Sequence, residues 1–459
     1  MLPSIARRLV YPLQERLVNR PTFSYLADLE RSQWLDREGV EQLQMRKLAA
    51  LLAVARQHCP WHAQRLVEAG FDDIRPDTVL ASSDLQKIPT MCKGDAQLHQ
   101  DGMAWKAVPG GAFAYNTGGS SGQPLKFYFG RWRQASDAAG RMRARRWWDV
   151  NVGEREVYLW GAPVELSKTD IIKTVRDRLI NQLVLNAFAM SPANMDEYLK
   201  AIEKYDPSCI YGYASSVALL AAHAIQSGRI PKLRALRVVC VTGEPLYPYQ
   251  RDLIGQVFGV PVANEFGSRD MGFTAHETSA GQMLLMSESI ILEVLDGEGR
   301  PVKPGEAGEA VMTGLCSDAQ PFIRYRTGDV LTLSEEQCRE GRGLHVIESV
   351  SGRSTDFIVA RDGTVMHALS VIYIVRDVEG IGEFKVVQHT LENIEVQVVP
   401  NAKWQDVRKD EIVSQFTDRL GPGIQVDIHM MEAIPPEASG KHRYVVSRVP
   451  LPGGLEMGI

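Results

Sequence analysis

At 459 residues the chain exceeds one ordinary domain, and length alone suggests about three units, or one large domain and a smaller one. With 44% hydrophobic and 23% charged residues it has a soluble globular composition, and no apolar run approaches the ~18 residues of a membrane span. A net charge of −5 supplies no field for nucleic acid, and six scattered cysteines without a C-x-x-C pair argue against a disulfide scaffold or a closed zinc site, so a reducing cytoplasm is expected.

Residues 1–70 read as helical. The first twenty alternate basic and apolar groups (Arg7, Arg8, Arg16 and Arg20 with Leu9, Val10, Leu13 and Leu17) and are too polar for a secretory signal. Such a helix suits weak contact with an anionic membrane surface. The simpler reading is a packed terminal helix. Further on, Leu43, Leu48, Leu51, Leu52 and Ala55 recur at three- and four-residue steps and predict one buried face.

The densest signal is Tyr115-Asn116-Thr117-Gly118-Gly119-Ser120-Ser121-Gly122-Gln123-Pro124-Leu125. So many glycines cannot serve a helix or strand interior. Their amides, with the Thr117, Ser120 and Ser121 hydroxyls, suit a concavity for phosphate oxygens. The spacing is not that of G-x-x-x-x-G-K-[ST], because Gln123 and Pro124 follow Gly122. Strand-like pieces flank it, Gly111 to Tyr115 and Leu125 to Phe129, so a hairpin loop is expected. A helix follows with Arg141, Arg143, Arg145, Arg146, Trp147 and Trp148. Arginines interleaved with tryptophans suit a phosphorylated ligand. A helix with one solvated basic side and buried indoles is the simpler reading.

From 157 to 265 short apolar runs (Val157–Trp160, Cys209–Tyr211, Leu236–Val241, Val260–Ala263) alternate with helical stretches at 192–205, 215–227 and 247–258. That is the rhythm of a parallel sheet covered by helices, whose ligands sit at the carboxyl ends of strands. Residues 288–350 look β-rich, with strands at Ile290–Leu295 and Glu309–Thr313. In Tyr325-Arg326-Thr327-Gly328-Asp329 the carboxylate follows a glycine turn and suits a ribose, although capping the turn is an equal reading. Beyond about 352, strands at Phe384–Gln388, Ile394–Val399 and Gln425–Met430 with a helix at Val407–Leu420 predict a small α+β unit. Ser439-Gly440-Lys441 lies on a loop near the end, where a lysine can be delivered to developing negative charge.

In this order the segments resemble the adenylate-forming superfamily, in its phenylacetate–CoA ligase and capsule-biosynthesis-type branch, from about residue 40 to 450. Thr242-Gly243-Glu244-Pro245-Leu246 resembles the adenine-side turn. Phe266-Gly267-Ser268-Arg269-Asp270-Met271-Gly272 resembles the aromatic–Gly–x–x–acid–x–Gly signature. Tyr325 to Asp329 resemble the ribose motif, Gly352-Arg353 the hinge, and Ser439-Gly440-Lys441 the catalytic-lysine motif. The resemblance implies an α/β fold. A large multi-subdomain N-terminal adenylation domain (1–351) would carry parallel sheets covered by helices, and a small mobile α+β domain (352–459) would carry the catalytic lysine. It also implies two steps, formation of acyl-AMP and pyrophosphate from ATP and a small carboxylic acid, then transfer to CoA.

Under this resemblance Thr117, Gly118, Gly119, Ser120, Ser121 and Gly122 hold the ATP phosphates, and Asp270 helps place Mg²⁺. Phe266 stacks on adenine beside Gly243, Glu244, Pro245, Gly267 and Ser268. Asp329 holds the ribose and Arg353 supports it or steadies the hinge. Lys441 bridges the acid and the α-phosphate. Tyr213, with Gly212 and Gly272, lines an acyl pocket; a core tyrosine at a strand end is the alternative. Three departures stand out. The signature acid is usually Glu, not Asp270. Thr355 stands where a hinge Asp or Lys is usual. His276 and Cys316 are too few for the zinc site some relatives carry. Two other readings remain: transfer to an amine, for instance on a surface-polysaccharide sugar, and an inactive nucleotide-binding homologue. A homodimer is compatible with all three.

Overall fold

A computed structural model of the chain describes residues 2–116, 125–161, 176–351, 357–376, 378–434 and 444–449. An N-terminal helical layer comes first, with helices Thr22–Ser32, Arg37–His58 and Pro60–Glu68. Leu48, Leu51, Leu52 and Ala55 are buried on the second of these, as their spacing predicts, while Leu43 is half-buried. Strands β1 (Phe113–Asn116) and β2 (Lys126–Phe129), on either side of the glycine–serine stretch, pair antiparallel with Asn116 opposite Lys126.

Among the described residues the main sheet has eleven strands. They are β3 (Glu156–Trp160), β4 (Gln182–Asn186), β5 (Cys209–Tyr213), β6 (Val238–Thr242), β7 (Val262–Ser268), β8 (Gly272–Glu277), β9 (Met283–Leu285), β10 (Ile290–Leu295), β11 (Ala307–Gly314), β12 (Tyr325–Leu333) and β13 (Val346–Ser351). Their order is β10-β11-β12-β13-β9-β8-β7-β6-β5-β3-β4. From β4 to β7 the pairs are parallel, and from β7 onward they are antiparallel. The expected α/β class holds, with both halves in one continuous mixed sheet rather than separate parallel sheets. Helices Pro192–Tyr205, Ala214–Gln226 and Pro248–Phe258 cover one face of the parallel half, closing on Leu159, Ile210, Val239 and Val241. The end of helix Arg131–Arg146 packs on β8 and β9 through Ala144, Phe273 and Leu284.

That helix departs from the expected solvated basic side. Arg143 and Glu288 are both fully buried and paired, Nη1 to Oε1 at 2.5 Å and Nη2 to Oε2 at 3.2 Å. Arg145 faces Glu156 at 3.5 Å, Arg146 donates to Glu30 at 2.8 Å, and the buried Trp147 donates to Gln33 at 3.0 Å. The helix lies between the sheet and the N-terminal layer, so its arginines find carboxylates from both sides. A guanidinium there without a partner would be strongly disfavoured.

After the main sheet, β14 (Phe357–Val359) and β15 (Val365–His367) form a hairpin and lead to helix Leu369–Arg376. A four-stranded sheet then has the order β18-β17-β16-β19, with β16 (Ile381–Gln388), β17 (Asn393–Pro400), β18 (Gln425–Met430) and β19 (Val445–Ser447). Helix Arg408–Leu420 lays Ile412, Phe416 and Leu420 on Phe384, Val396 and Val398. No described helix is long and apolar enough to cross a membrane.

Two stability predictions follow from buried polar groups. Arg143→Ala leaves Glu288 charged and buried without its partner, so urea denaturation should show a loss of about 3–5 kcal/mol. His62 is fully buried; its Nδ1 meets the Arg65 guanidinium at 3.1 Å and its Nε2 lies 2.9 Å from the Pro321 carbonyl, which places the ring proton on Nε2. Burial, then the Arg65 charge, push its pKa down to about 3. The unfolded chain therefore takes up this proton near pH 6.5 and the folded chain only near 3. The contribution is complete at neutral pH and is lost as pH falls through that window, by up to about 1.4 kcal/mol per unit. His62→Gln should flatten this part of the acid limb of a stability–pH profile.

Candidate functional site

The carboxyl ends of the parallel strands bring together Trp160, Tyr213, Thr242 and the stretch Phe266–Ser268. Tyr213 is buried and stacks on Trp160, with ring centroids 4.3 Å apart and planes 13° from parallel. Burial pushes its hydroxyl up, with Tyr373 and Glu244 adding to the effect, so it stays a neutral phenol. Gly212 lets β3 and β5 close, since a Cβ there would stand 2.7 Å from the Leu159 carbonyl. Gly243 has φ 81°, and a Cβ there would press on the Tyr213 ring at 3.2 Å. Glu244 accepts the Ser215 N–H at 3.0 Å, at the positive end of helix Ala214–Gln226, and Pro245 follows half-buried.

Phe266 is half-buried and packs against a core containing Leu125, Met271 and Tyr325. Next to it the β7–β8 ladder slips: Phe266 pairs with Ala275 and Gly267 with Phe273, leaving Thr274 as the extra residue of a bulge. The turn beyond carries Asp270. Its Oδ1 accepts the Ser268 hydroxyl at 2.5 Å and the Met271 N–H at 3.1 Å, and its Oδ2 accepts the Tyr325 hydroxyl at 2.9 Å. Two sequence motifs that lie 55 positions apart thus meet on one carboxylate.

Asp329 lies inside β12, not after a free turn. Glu309 pairs with Val330 and Val311 with Arg326, so Thr327, Gly328 and Asp329 together oppose Ala310. The Thr327 hydroxyl donates to the Ala310 carbonyl at 3.1 Å and accepts the Asp329 N–H at 3.2 Å. Gly328 takes φ 74° at the crest. Entry into β12 is set by Arg324, at φ 53°, a left-handed conformation that side chains rarely adopt. Its guanidinium grips Glu293 through two 2.9 Å bonds and donates to the Ile88 carbonyl at 2.7 Å.

Arg269 points the other way. It donates to the Asn116 carbonyl, just before the glycine–serine stretch, at 3.1 Å, and to the Tyr373 hydroxyl on helix Leu369–Arg376 at 3.4 Å. Gly272, at φ 79°, faces helix Arg131–Arg146, where a Cβ would strike Arg133 and Asp137. Thr117, Gly118, Gly119, Ser120, Ser121, Gly122, Arg353, Thr355 and Lys441 lie outside the described residues.

Behind the site a polar layer lines the sheet face towards helix Arg131–Arg146. The Tyr211 hydroxyl donates to Glu265 at 2.7 Å, and Arg141 stands 3.6 Å from the same carboxylate. Burial opposes charge on Glu265, but Arg141, Arg145 and His276 outweigh it and hold its pKa down. His276 is 3.2 Å from Arg145, and its other nitrogen is 2.8 Å from the Glu277 carbonyl, whereas Cys316 meets the Tyr25 hydroxyl. Among the described residues no group of three or more His, Cys, Asp or Glu side chains could hold a metal. Asp270 offers one carboxylate whose oxygens keep lone pairs beyond their hydrogen bonds. That fits a Mg²⁺ shared with substrate phosphates and water, not a protein cage.

Tyr325, Arg324, Arg269 and Tyr373 were not singled out from sequence. Tyr325 lies in the ribose motif itself, but only the fold shows that its hydroxyl reaches Asp270.

Residues 358–448 match the CapK C-terminal domain family. Protein CapK of Staphylococcus aureus is 22% identical over 376 residues, covering 80% of this chain and 81% of that protein. The phenylacetate-coenzyme A ligase of Thermus thermophilus is 23% identical over 453 residues, covering 90% and 97%. A solved 2-hydroxyisobutyryl-CoA ligase, in complex with 2-HIB-AMP and CoA in the thioesterification state, has a TM-score of 0.61 at 22% identity over 91% of each chain. These relatives bear out the resemblance drawn from the motif order, and the structural likeness shows the shared two-part fold.

Gly272→Ala combines a strained φ with a Cβ against Arg133 and Asp137. We expect about 1–3 kcal/mol lower stability in urea denaturation, with Gly281→Ala, at similar φ and with open space around it, less affected.

Proposed function

We propose that the protein is an AMP-forming acid ligase that joins a carboxylic acid to CoA through acyl-AMP. The observation that carries this reading is the Asp270 carboxylate held by Ser268 and Tyr325 at the carboxyl end of β7. It stands on the turn that follows the strand bearing Phe266, beside Arg269, which donates to the Asn116 carbonyl at the end of β1. The relatives support the same class of chemistry.

In the first half-reaction a carboxylate oxygen of the acid attacks the α-phosphorus of ATP. The bond to the bridging oxygen of the β-phosphate breaks, and pyrophosphate leaves. Thr117 to Gly122 would hold the leaving phosphates through backbone amides and hydroxyls. Mg²⁺, when bound at Asp270, supplies positive charge to the phosphate oxygens. Ser268 and Tyr325 orient that carboxylate and leave its remaining lone pairs free. Phe266 offers a face to the adenine beside Gly243, Glu244 and Pro245. Asp329, raised on its bulge, would accept the ribose hydroxyls, with Arg353 nearby in role. Lys441 would neutralise charge gathering between the acid and the α-phosphate. Tyr213 and Gly212 would line the acyl pocket, with Trp160 behind the tyrosine and Gly272 letting the helix close in. In the second half-reaction the CoA sulfur attacks the acyl carbon, the mixed anhydride opens, AMP leaves and the thiol proton passes to solvent.

A second reading shares the first half-reaction and gives the acyl group to an amine. The likeness to CapK, over residues 358–448 and over 80% of the chain, is compatible with it.

ATP–pyrophosphate exchange across a panel of acids tests both. Exchange with at least one acid, followed by acyl-CoA when CoA is added, is expected. Exchange without acyl-CoA would favour the amine acceptor, and AMP binding without exchange would overturn the proposal. Lys441→Ala should lower exchange by about 10²–10³-fold while sparing use of pre-made acyl-AMP.

A further inference from the structure

The helical segment at residues 3–17 has two unlike faces. Its inner face is docked. Ala6 and Glu15 are buried, Tyr11 meets Phe23 edge-on at 5.9 Å, and Glu15 accepts from both Arg20 and Thr22. Gly153 touches the segment so closely that a Cβ there would stand 2.8 Å from the Arg7 nitrogen. The outer face is a row of large apolar side chains: Leu2 is 65% exposed, Ile5 44%, Leu9 62%, Leu13 52% and Leu17 78%.

Ile5, Leu9, Leu13 and Leu17 are spaced by four. In an uninterrupted α-helix each such step drifts about 40° around the axis, so the row would wind off one face. The segment contains a π turn, Ala6–Val10, whose wider winding takes up that drift and keeps the leucines in one stripe. Arg8 and Arg16 are exposed and Arg7 is half-buried. The segment's single acid, Glu15, is turned inward to Arg20 and Thr22. Its outer surface is therefore apolar and cationic with no anion, on a chain whose net charge is −5.

We propose that this helix docks on an anionic membrane surface, lying in the plane of the interface with its leucines among the acyl chains and Arg8 and Arg16 at the lipid phosphates. Charge complementarity selects this occupant over a second copy of the chain. A two-fold pairing of the same face would bring arginines against arginines, with no acid in the segment to separate them.

Sedimentation of the full chain with vesicles tests the proposal. Mixed phosphatidylcholine–phosphatidylglycerol vesicles should carry the protein down, and phosphatidylcholine alone should carry little. Raised salt should release it, and each of Arg8→Ala and Arg16→Ala should weaken binding about five-fold. The double variant Leu9→Gln with Leu13→Gln should stay in the supernatant with unchanged circular dichroism, since both side chains are at the surface. Wild-type protein that ignores anionic vesicles would overturn the proposal, as would binding insensitive to the double variant. So would sedimentation velocity showing a dimer that the double variant makes monomeric.

Discussion

Two carboxylates five residues apart organise the molecule, Glu288, fully buried at the entrance to β10, and Glu293, half-buried within it. A buried carboxylate is tolerated only with a partner that matches its geometry, and a guanidinium matches it with two parallel donors. Glu288 takes Arg143 from helix Arg131–Arg146, and its environment draws in the Ser32 hydroxyl at 2.9 Å and, at its carbonyl, Lys47 at 2.6 Å. Glu293 takes Arg324 at the start of β12. One edge strand thereby fixes both the helix behind the site and the strand that carries Tyr325 and Asp329. Neither pair is evidence of high stability by itself, since replacing both partners with apolar groups can be neutral. Their effect is on position, because an unpaired charge excludes other arrangements.

The consequence reaches the site through short connections. Arg324 holds a left-handed backbone in place by its side chain, and the next residue, Tyr325, delivers its hydroxyl to Asp270. From the other side, Asp137 on helix Arg131–Arg146 accepts the Phe273 N–H at 3.1 Å, immediately after Gly272. The turn bearing Asp270 is therefore clamped at both ends by elements that Glu288 and Glu293 position. A carboxylate shorter than the usual glutamate can serve only if its backbone is placed closely. Here the placement comes from the clamp, so the departure at Asp270 does not by itself imply lost function.

Much of this was legible in the sequence where local chemistry decides the outcome. The glycine–serine stretch reads as a hairpin loop because no other element accepts it, and Leu236–Val241 reads as a strand because it is strongly β-branched, with valines at 238, 239 and 241. The strand β4, Gln182–Asn186, was missed because it is an edge strand with an exposed Val184 and no clean alternation. The hairpin of β14 and β15 was missed because its strands have three residues each. The arginines of helix Arg131–Arg146 are illegible for a different reason. Charge in a helix ordinarily marks a solvated face, and only the tertiary arrangement reveals Glu30, Glu156 and Glu288 opposite them. Sequence alone places Asp329 after a turn because Gly328 signals one, whereas the glycine here serves a bulge inside a ladder.

Adjacent residues on the β7–β8 turn carry contacts of opposite kind. Asp270 faces inward to groups that cannot move without disturbing buried ion pairs. Arg269 faces outward, is exposed, and reaches Tyr373 by a single bond of 3.4 Å. A bond of that length between exposed groups contributes little. Elsewhere a cavity of about 660 Å³ opens between Asn186 and Phe188 on one side and Arg361, Asp362 and Arg419 on the other, so the C-terminal unit is not tightly sealed to the sheet there. The proposed reaction needs a fixed seat for the nucleotide and two successive partners for the acyl group, first ATP and then a second nucleophile. Strong, buried pairing at Asp270's supports and weak, solvated contact at Arg269 divide the turn along that line. In the proposed reaction, loosening Arg324 from Glu293 would work against the first half-reaction by unseating Tyr325 from Asp270.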